Sequence, residues 1–253
     1  MKLAVLSDFH GATELLPSIK DFLPRMADAA FFCGDTVKGH ARGDEWLAAR
    51  SGGRSPNPSA AEIKAEASQD ISYYTLFYST MCELGVPFFA IPGNMDAPEK
   101  RFAHYVLPMC VSCSNLRIVH LSHYFFGSYL LAGIGGELVE SSPNRELVLQ
   151  YSRKEAELAI EFLSAASLKK VLIVHSPPES SVGLDNGTQK GSPVVNSLIE
   201  RFQPLLVFCG HAHGARGEDR IGSSLVVNPG ALKNGSMAVL DTDNQRVSFH
   251  ELG

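Results

Sequence analysis

A chain of 253 residues, 45% of them hydrophobic, is long enough to bury a sizeable α/β core. Its formal net charge of -5 lacks the basic excess that draws a protein to nucleic acid or an anionic membrane. No apolar run approaches the roughly 18–20 residues of a membrane span, and five cysteines, odd in number and without disulfide-style spacing, suit free thiols in a reducing cytoplasm.

Lys2–Ser7 reads as a first strand, too short and too polar at its end for a leader. A helix is predicted over Ala12–Leu23 and a strand over Ala29–Cys33. Residues 38–59 are rich in Gly, Pro, Ser and Arg and read as a long loop with room for a short helix at Trp46. Lys38, His40, Arg42, Arg50 and Arg54 cluster there. The simplest reading is a solvated surface loop; the functional one is a flap whose cations, or His40, touch a substrate. A helix follows over Ala60–Leu84, with Ile63, Ala67, Ile71, Tyr74 and Tyr78 at helical spacing.

Strands are predicted at Val86–Ile91, Leu116–His120 and Tyr129–Ile134, a helix over Ser152–Ser167 and a strand over Lys170–Val174. Ser176–Ser192 is a polar loop. Helix Pro193–Phe202, strand Leu205–Cys209 and three short strands near Ser224–Val227, Ser236–Asp241 and Arg246–Glu251 complete one domain spanning 1–253, with no internal repeat.

Five of these apolar runs end in residues able to bind metal. Asp8-Phe9-His10 follows the first, Gly34-Asp35 the second, and Gly93-Asn94-Met95-Asp96 the run at 86–91. His175 follows Val171–Val174, and Gly210-His211-Ala212-His213 follows Leu205–Cys209. Strands that each end in a polar loop are how an α/β sheet presents a site at their carboxyl ends. A nitrogen and oxygen donor set without thiolate points to a catalytic centre instead of a structural zinc site. If the segments stay extended, Asp8 and His10 face one ion, and His211 and His213 both reach the site.

The order D-x-H, G-D, G-N-x-D, H, G-H-x-H resembles the calcineurin-like metallophosphoesterase superfamily over nearly the whole chain. That resemblance implies an α/β fold of four layers, two mixed sheets flanked by helices. It implies two divalent transition-metal ions, Mn before Fe, Ni, Co or Zn. Asp8, His10 and His213 would hold the first ion, Asn94, His175 and His211 the second, and Asp35 would bridge them. It also implies a phosphate-ester substrate attacked by a hydroxide held between the metals. Two ions, two carboxylates and that hydroxide leave a charge of about +1, suited to an anionic phosphate. Many members carry His where this chain has Met95. A thioether has no proton to give to a leaving group, and the branch with Cys or Met here is better known for phosphodiesterases.

Around this centre, Asn94 is expected to take part in catalysis as a neutral ligand, Asp96 to orient an imidazole or cap a helix near Ala97-Pro98, and His40 to stand in as acid. A scaffold that keeps the fold and metals with little turnover is the alternative to an enzyme. A nuclease is not expected, since no basic stripe with interleaved aromatics is present. Cys110, Cys113, His120 and His123 mimic a zinc-finger order, but their gaps are too short, and half-buried thiols are the better reading. Cys33 and Cys209 read as core residues, and Asn228-Pro229-Gly230 as a turn.

Overall fold

The computed structural model describes residues 1–253. Strands β1 (Lys2–Leu6), β2 (Ala29–Phe32), β3 (Phe88–Ala90) and β4 (Leu116–Ile118) run parallel to one another. Strands β5 (Ser122–Phe126) and β6 (Tyr129–Ile134) form a hairpin, and β7 (Glu137–Val139) pairs with β8 (Gln150–Ser152). Next come β9 (Lys169–Val174), the small hairpin of β10 (Leu184–Asp185) and β11 (Thr188–Gln189), β12 (Leu206–Phe208), β13 (Gly217–Ile221), β14 (Ser224–Asn228), β15 (Ser236–Asp241) and β16 (Arg246–Glu251). One six-stranded sheet has the order β16-β15-β1-β2-β3-β4 and the other β13-β14-β12-β9-β6-β5. The helices are α1 (Leu16–Met26), α2 (His40–Ser51), α3 (Ala61–Cys82), α4 (Glu99–Ser112), α5 (Arg153–Ile160) and α6 (Pro193–Phe202).

The apolar strands are buried on both faces, and their alternation builds the layers. In β1, Leu3 and Val5 enter the core between the sheets, with Phe31, Phe89, Val171, Ile173 and Phe208. Ala4 and Leu6 point the other way, toward the core under α1, α3 and α4 with Phe32, Tyr74, Phe77 and Tyr78. In β9, Leu172 and Val174 join a third core with Ile160, Leu198 and Phe202, under α5 and α6. The molecule is therefore two mixed sheets face to face, with helices on both outer sides. No helix is long and apolar enough to cross a membrane.

Three expectations change. Residues 38–59 are less of a loop than expected, because the helix allowed at Trp46 runs from His40 to Ser51 as α2. Nor is the whole segment solvated: Arg42 has no exposed surface, because carboxylates of α3 neutralise it inside the fold. Cys82 and Cys113 are not free thiols. They end α3 and follow α4, two helices packed side by side, which brings their Cα atoms to 5.6 Å, and they form a disulfide. Cys33, Cys110 and Cys209 stay unpaired, with Cys33 and Cys209 fully in the core. The sequence also hides two edge strands, β5 and β13, whose residues are largely polar or exposed.

Candidate metal centre

All five polar motifs lie at one end of the molecule, because β1, β2 and β3 are parallel neighbours in one sheet and β9 and β12 in the other. The loops are tied to each other before any ion is considered. Asp8 donates its N–H to the Gly34 carbonyl at 2.9 Å and Gly210 to the His175 carbonyl at 3.0 Å. The two glycine motifs touch: a Cβ on Gly34 would lie 2.4 Å from the Gly93 nitrogen, and one on Gly93 2.1 Å from Asp35 Oδ1. No side chain fits at either position.

The presenting backbone is not extended. Asp8 (φ 59°), His10 (φ 45°), Asp35 (φ 61°) and His211 (φ 65°) are all left-handed. The expectation that Asp8 and His10 share a face through strand alternation therefore fails in its reason, although both residues do reach the same point. Left-handed non-glycine residues cost on the order of 1 kcal/mol each, and four within one cluster of functional side chains is where such strain collects.

Asp8, His10, Asp35 and His213 place one donor atom each within 4.8 Å of one another. His213 Nε2 is 3.3 Å from Asp8 Oδ1, and His10 Nε2 is 3.6 Å from Asp35 Oδ2. On the other side of Asp35, His175 Nε2 lies 3.4 Å from that same Oδ2 and 2.8 Å from Asn94 Oδ1, and His211 Nδ1 lies 3.2 Å from Asn94 Oδ1. All seven expected ligands are thus drawn together. Asp8, Asp35, Asn94 and His175 are buried, and His213 is half exposed.

The donor set fits a cation. His175 Nδ1 faces the Cys33 carbonyl at 2.8 Å and His10 Nδ1 the Val37 carbonyl at 3.0 Å. A carbonyl only accepts, so each Nδ1 carries a proton, and Nε2 is the nitrogen turned into the cluster, where a bound cation would take its lone pair in place of any second proton. There His10 Nε2 meets His213 Nε2 at 3.1 Å, and His175 Nε2 meets the Asn94 and Asp35 oxygens. Lone pairs converging on a buried point are stabilised by a cation among them. Backbone carbonyls fixing the imidazole tautomers are the usual support for metal-binding histidines.

Without an ion, protons share out the field. Burial holds His10 and His211 below the usual imidazole range. For His175 burial works in the same direction, but the Asp35 carboxylate outweighs it and lifts the group to about 9. Burial would raise Asp8 and Asp35, yet the surrounding histidines hold both below the ordinary carboxylate value.

Asp96 departs from expectation. It orients no imidazole, and α4 begins at Glu99 without a side-chain cap. Its carboxylate instead accepts backbone N–H groups from Gly93 (2.7 Å), Asp35 (3.0 Å) and Thr36 (3.1 Å). Burial and the nearby Asp35 push it up to about 7 in the ion-free protein. His40 is exposed at the first position of α2, outside the cluster. Met95 lies half-buried, its side chain against Gly39, just before α2, and Gly43 within it. Of the false zinc set, Cys113 is in the disulfide, half-buried His120 contacts Tyr151 Oη at 2.9 Å, and His123 is exposed.

Two contributors have contacts at the site that the sequence does not reveal. Arg42 donates to the Met95 carbonyl at 2.8 Å. Asn228 is fully buried and donates to the Ala212 carbonyl at 3.0 Å, fixing the loop between His211 and His213. The Asn-Pro-Gly turn was the available signal for Asn228, and the cationic cluster of residues 38–59 was that for Arg42, though it pointed to a substrate and not to the Met95 carbonyl.

A family model described as "Metallophosphoesterase, calcineurin superfamily" matches residues 1–252. An uncharacterized protein of Methanocaldococcus jannaschii is 26% identical over 239 residues, which cover 90% of this chain and 88% of that one. One crystal structure aligns with a TM-score of 0.90 at 27% identity over 100% of this chain and 99% of the other. The protein TT1561 of Thermus thermophilus aligns with a TM-score of 0.75 at 22% identity, again over 100% and 99%, a likeness of fold.

Proposed function

The chain belongs to the metallophosphoesterases of the calcineurin superfamily, and from that premise we propose that it is a phosphoesterase with two metal ions, acting on phosphodiesters in preference to monoesters. The observation that carries the reading is the position of Asp35 Oδ2. It lies 3.6 Å from His10 Nε2 on one side and 3.4 Å from His175 Nε2 on the other. One oxygen between two donor sets suits a carboxylate shared by two cations.

In this reading Asp8, His10, His213 and Asp35 hold one ion, and Asp35, Asn94, His175 and His211 the other. The donors are imidazole nitrogens with carboxylate and amide oxygens, a mixture suited to Mn, Fe, Co, Ni or Zn. Two such ions, when bound, supply a hydroxide nucleophile near neutral pH and Lewis acidity toward phosphoryl oxygens. The chain's own residues do the rest. Asn94 contributes an oxygen without charge, which keeps the centre net positive toward an anionic ester. The His10 and His175 rings are locked by the Val37 and Cys33 carbonyls, so their lone pairs need no reordering.

The preference for diesters rests on charge and on Met95. A centre of about +1 matches a monoanionic diester. Met95, packed against α2, offers no proton to the leaving oxygen, so substrates with good leaving groups are favoured. The test is hydrolysis of a panel of phosphomonoesters and diesters with Mn, Ni, Co, Fe or Zn added to metal-free protein. Faster turnover of diesters is expected; uniformly faster turnover of monoesters with every metal would overturn the preference.

A further inference from the structure

Beside the centre lies a buried charge cluster that the reaction as described does not use. Arg42, on α2, has no exposed surface. Its Nη1 lies 2.7 Å from Asp70 Oδ2 and 3.0 Å from Glu66 Oε2, both on α3. Arg101 of α4 also pairs with Asp70. Glu66 accepts the N–H groups of Ala41 (3.0 Å) and Arg42 (3.3 Å), which seats the first turn of α2. Burying an arginine in this way is costly unless its partners are in place, and α3 supplies both of them.

The free end of that arginine points at the motif loop. Arg42 Nη2 donates to the Met95 carbonyl at 2.8 Å. The N–H of Met95 itself donates to Asp35 Oδ1 at 2.7 Å. Met95 is therefore held at both its backbone polar groups, by Arg42 on one side and by Asp35 on the other. Its side chain is pressed onto Gly39 and Gly43, at the start of α2. Occupying Oδ1 with the Met95 N–H leaves Oδ2 as the oxygen facing His10 and His175.

We propose that Arg42 is a positioning residue for Asp35: by fixing the Met95 peptide it sets which carboxylate oxygen is presented to the metal ions, and it couples the seating of α2 to metal binding. The proposal rests on the metal-binding part of the reading above. It also gives α2 a role other than a flap that touches substrate, because α2 is anchored at Arg42 and packs against Met95. Arg42 touches neither substrate nor reacting atoms in this scheme.

The test compares metal-free wild-type protein and Arg42→Lys by Mn²⁺ titration, with free Mn²⁺ followed by electron paramagnetic resonance. Lysine keeps the charge against Asp70 and Glu66 but lacks the fork that also reaches the Met95 carbonyl. Supports of this kind are worth about 10–100-fold in metal affinity. The expected result is a folded variant with an unchanged cooperative melt, Mn²⁺ bound at least about 10-fold more weakly, and an altered spectrum of the bound Mn²⁺. Equal affinity and an identical spectrum before and after Arg42→Lys would overturn this inference alone. Loss of the cooperative melt in Arg42→Lys would also overturn it, by assigning Arg42 to the fold. Absence of Mn²⁺ binding in the unmutated protein would sink the metal-centre reading and this inference together.

Discussion

Asp96 reaches back across the fold to Asp35 and accepts its backbone N–H at 3.0 Å, while also accepting those of Gly93 and Thr36. One buried carboxylate thus clamps the Gly34-Asp35 loop to the Gly93-Asn94 loop. That contact adds to the pairing of β2 with β3 in holding Asp35 near Asn94.

Asp96→Ala leaves several buried N–H groups without acceptors, each costing about 1–3 kcal/mol. We expect a loss of at least about 3 kcal/mol of stability together with weaker metal binding. Chemical denaturation and metal titration of the variant check this. A stability unchanged from wild type would mean that water or another carbonyl replaces the clamp.

Asp35 is the one carboxylate near donors on both sides, and no neighbour can take its place. Asp35→Asn is expected to keep the fold by circular dichroism, lose at least one metal ion and lose nearly all turnover. A variant that retained its full metal content and wild-type turnover would remove Asp35 from the bridging position.

Met95 places no acid near the leaving oxygen. General acid help is worth about 10²–10⁴-fold and matters most for poor leaving groups. The rate on a series of aryl and alkyl esters should therefore fall steeply as leaving-group pKa rises, with bis-p-nitrophenyl phosphate cleaved readily and alkyl monoesters slowly. A flat series that becomes steep in His40→Ala would make the exposed His40 the acid. A flat series untouched by His40→Ala would place the proton donor elsewhere in the site.

The disulfide between Cys82 and Cys113 closes a loop of 31 residues in sequence separation. Cross-links of this span are worth about 2–4 kcal/mol. Non-reducing peptide mapping should recover Cys82 linked to Cys113, and Cys82→Ser should lower the denaturation midpoint accordingly. Two alkylatable thiols at these positions in the native protein would contradict the pairing.

The site was legible in the sequence because each motif joins two strong signals, an apolar run and a short polar segment dense in ligands. Parallel strands then bring the motifs to one end without any long-range detail being known. The backbone at the site was not legible: left-handed Asp8, His10, Asp35 and His211 arise from loop–loop hydrogen bonds between distant segments. A short helix at Trp46 was legible, but the full extent of α2 was obscured by Gly43, by the flanking Gly39, Gly52 and Gly53, and by its many charges. Arg42 read as solvated because its neutralising partners, Glu66 and Asp70, sit on a different helix. The disulfide was hidden for the same reason: the packing of α3 on α4, not local spacing, makes Cys82 and Cys113 neighbours.

Catalysis by two metals requires the cluster around Asp35 to be filled, and that requirement can be measured directly. Protein stripped by a chelator should hydrolyse bis-p-nitrophenyl phosphate no faster than buffer, and activity should return as Mn²⁺ is added back, saturating at two ions bound per chain. Full activity in protein shown to be metal-free, or saturation at one ion, would contradict the two-metal mechanism.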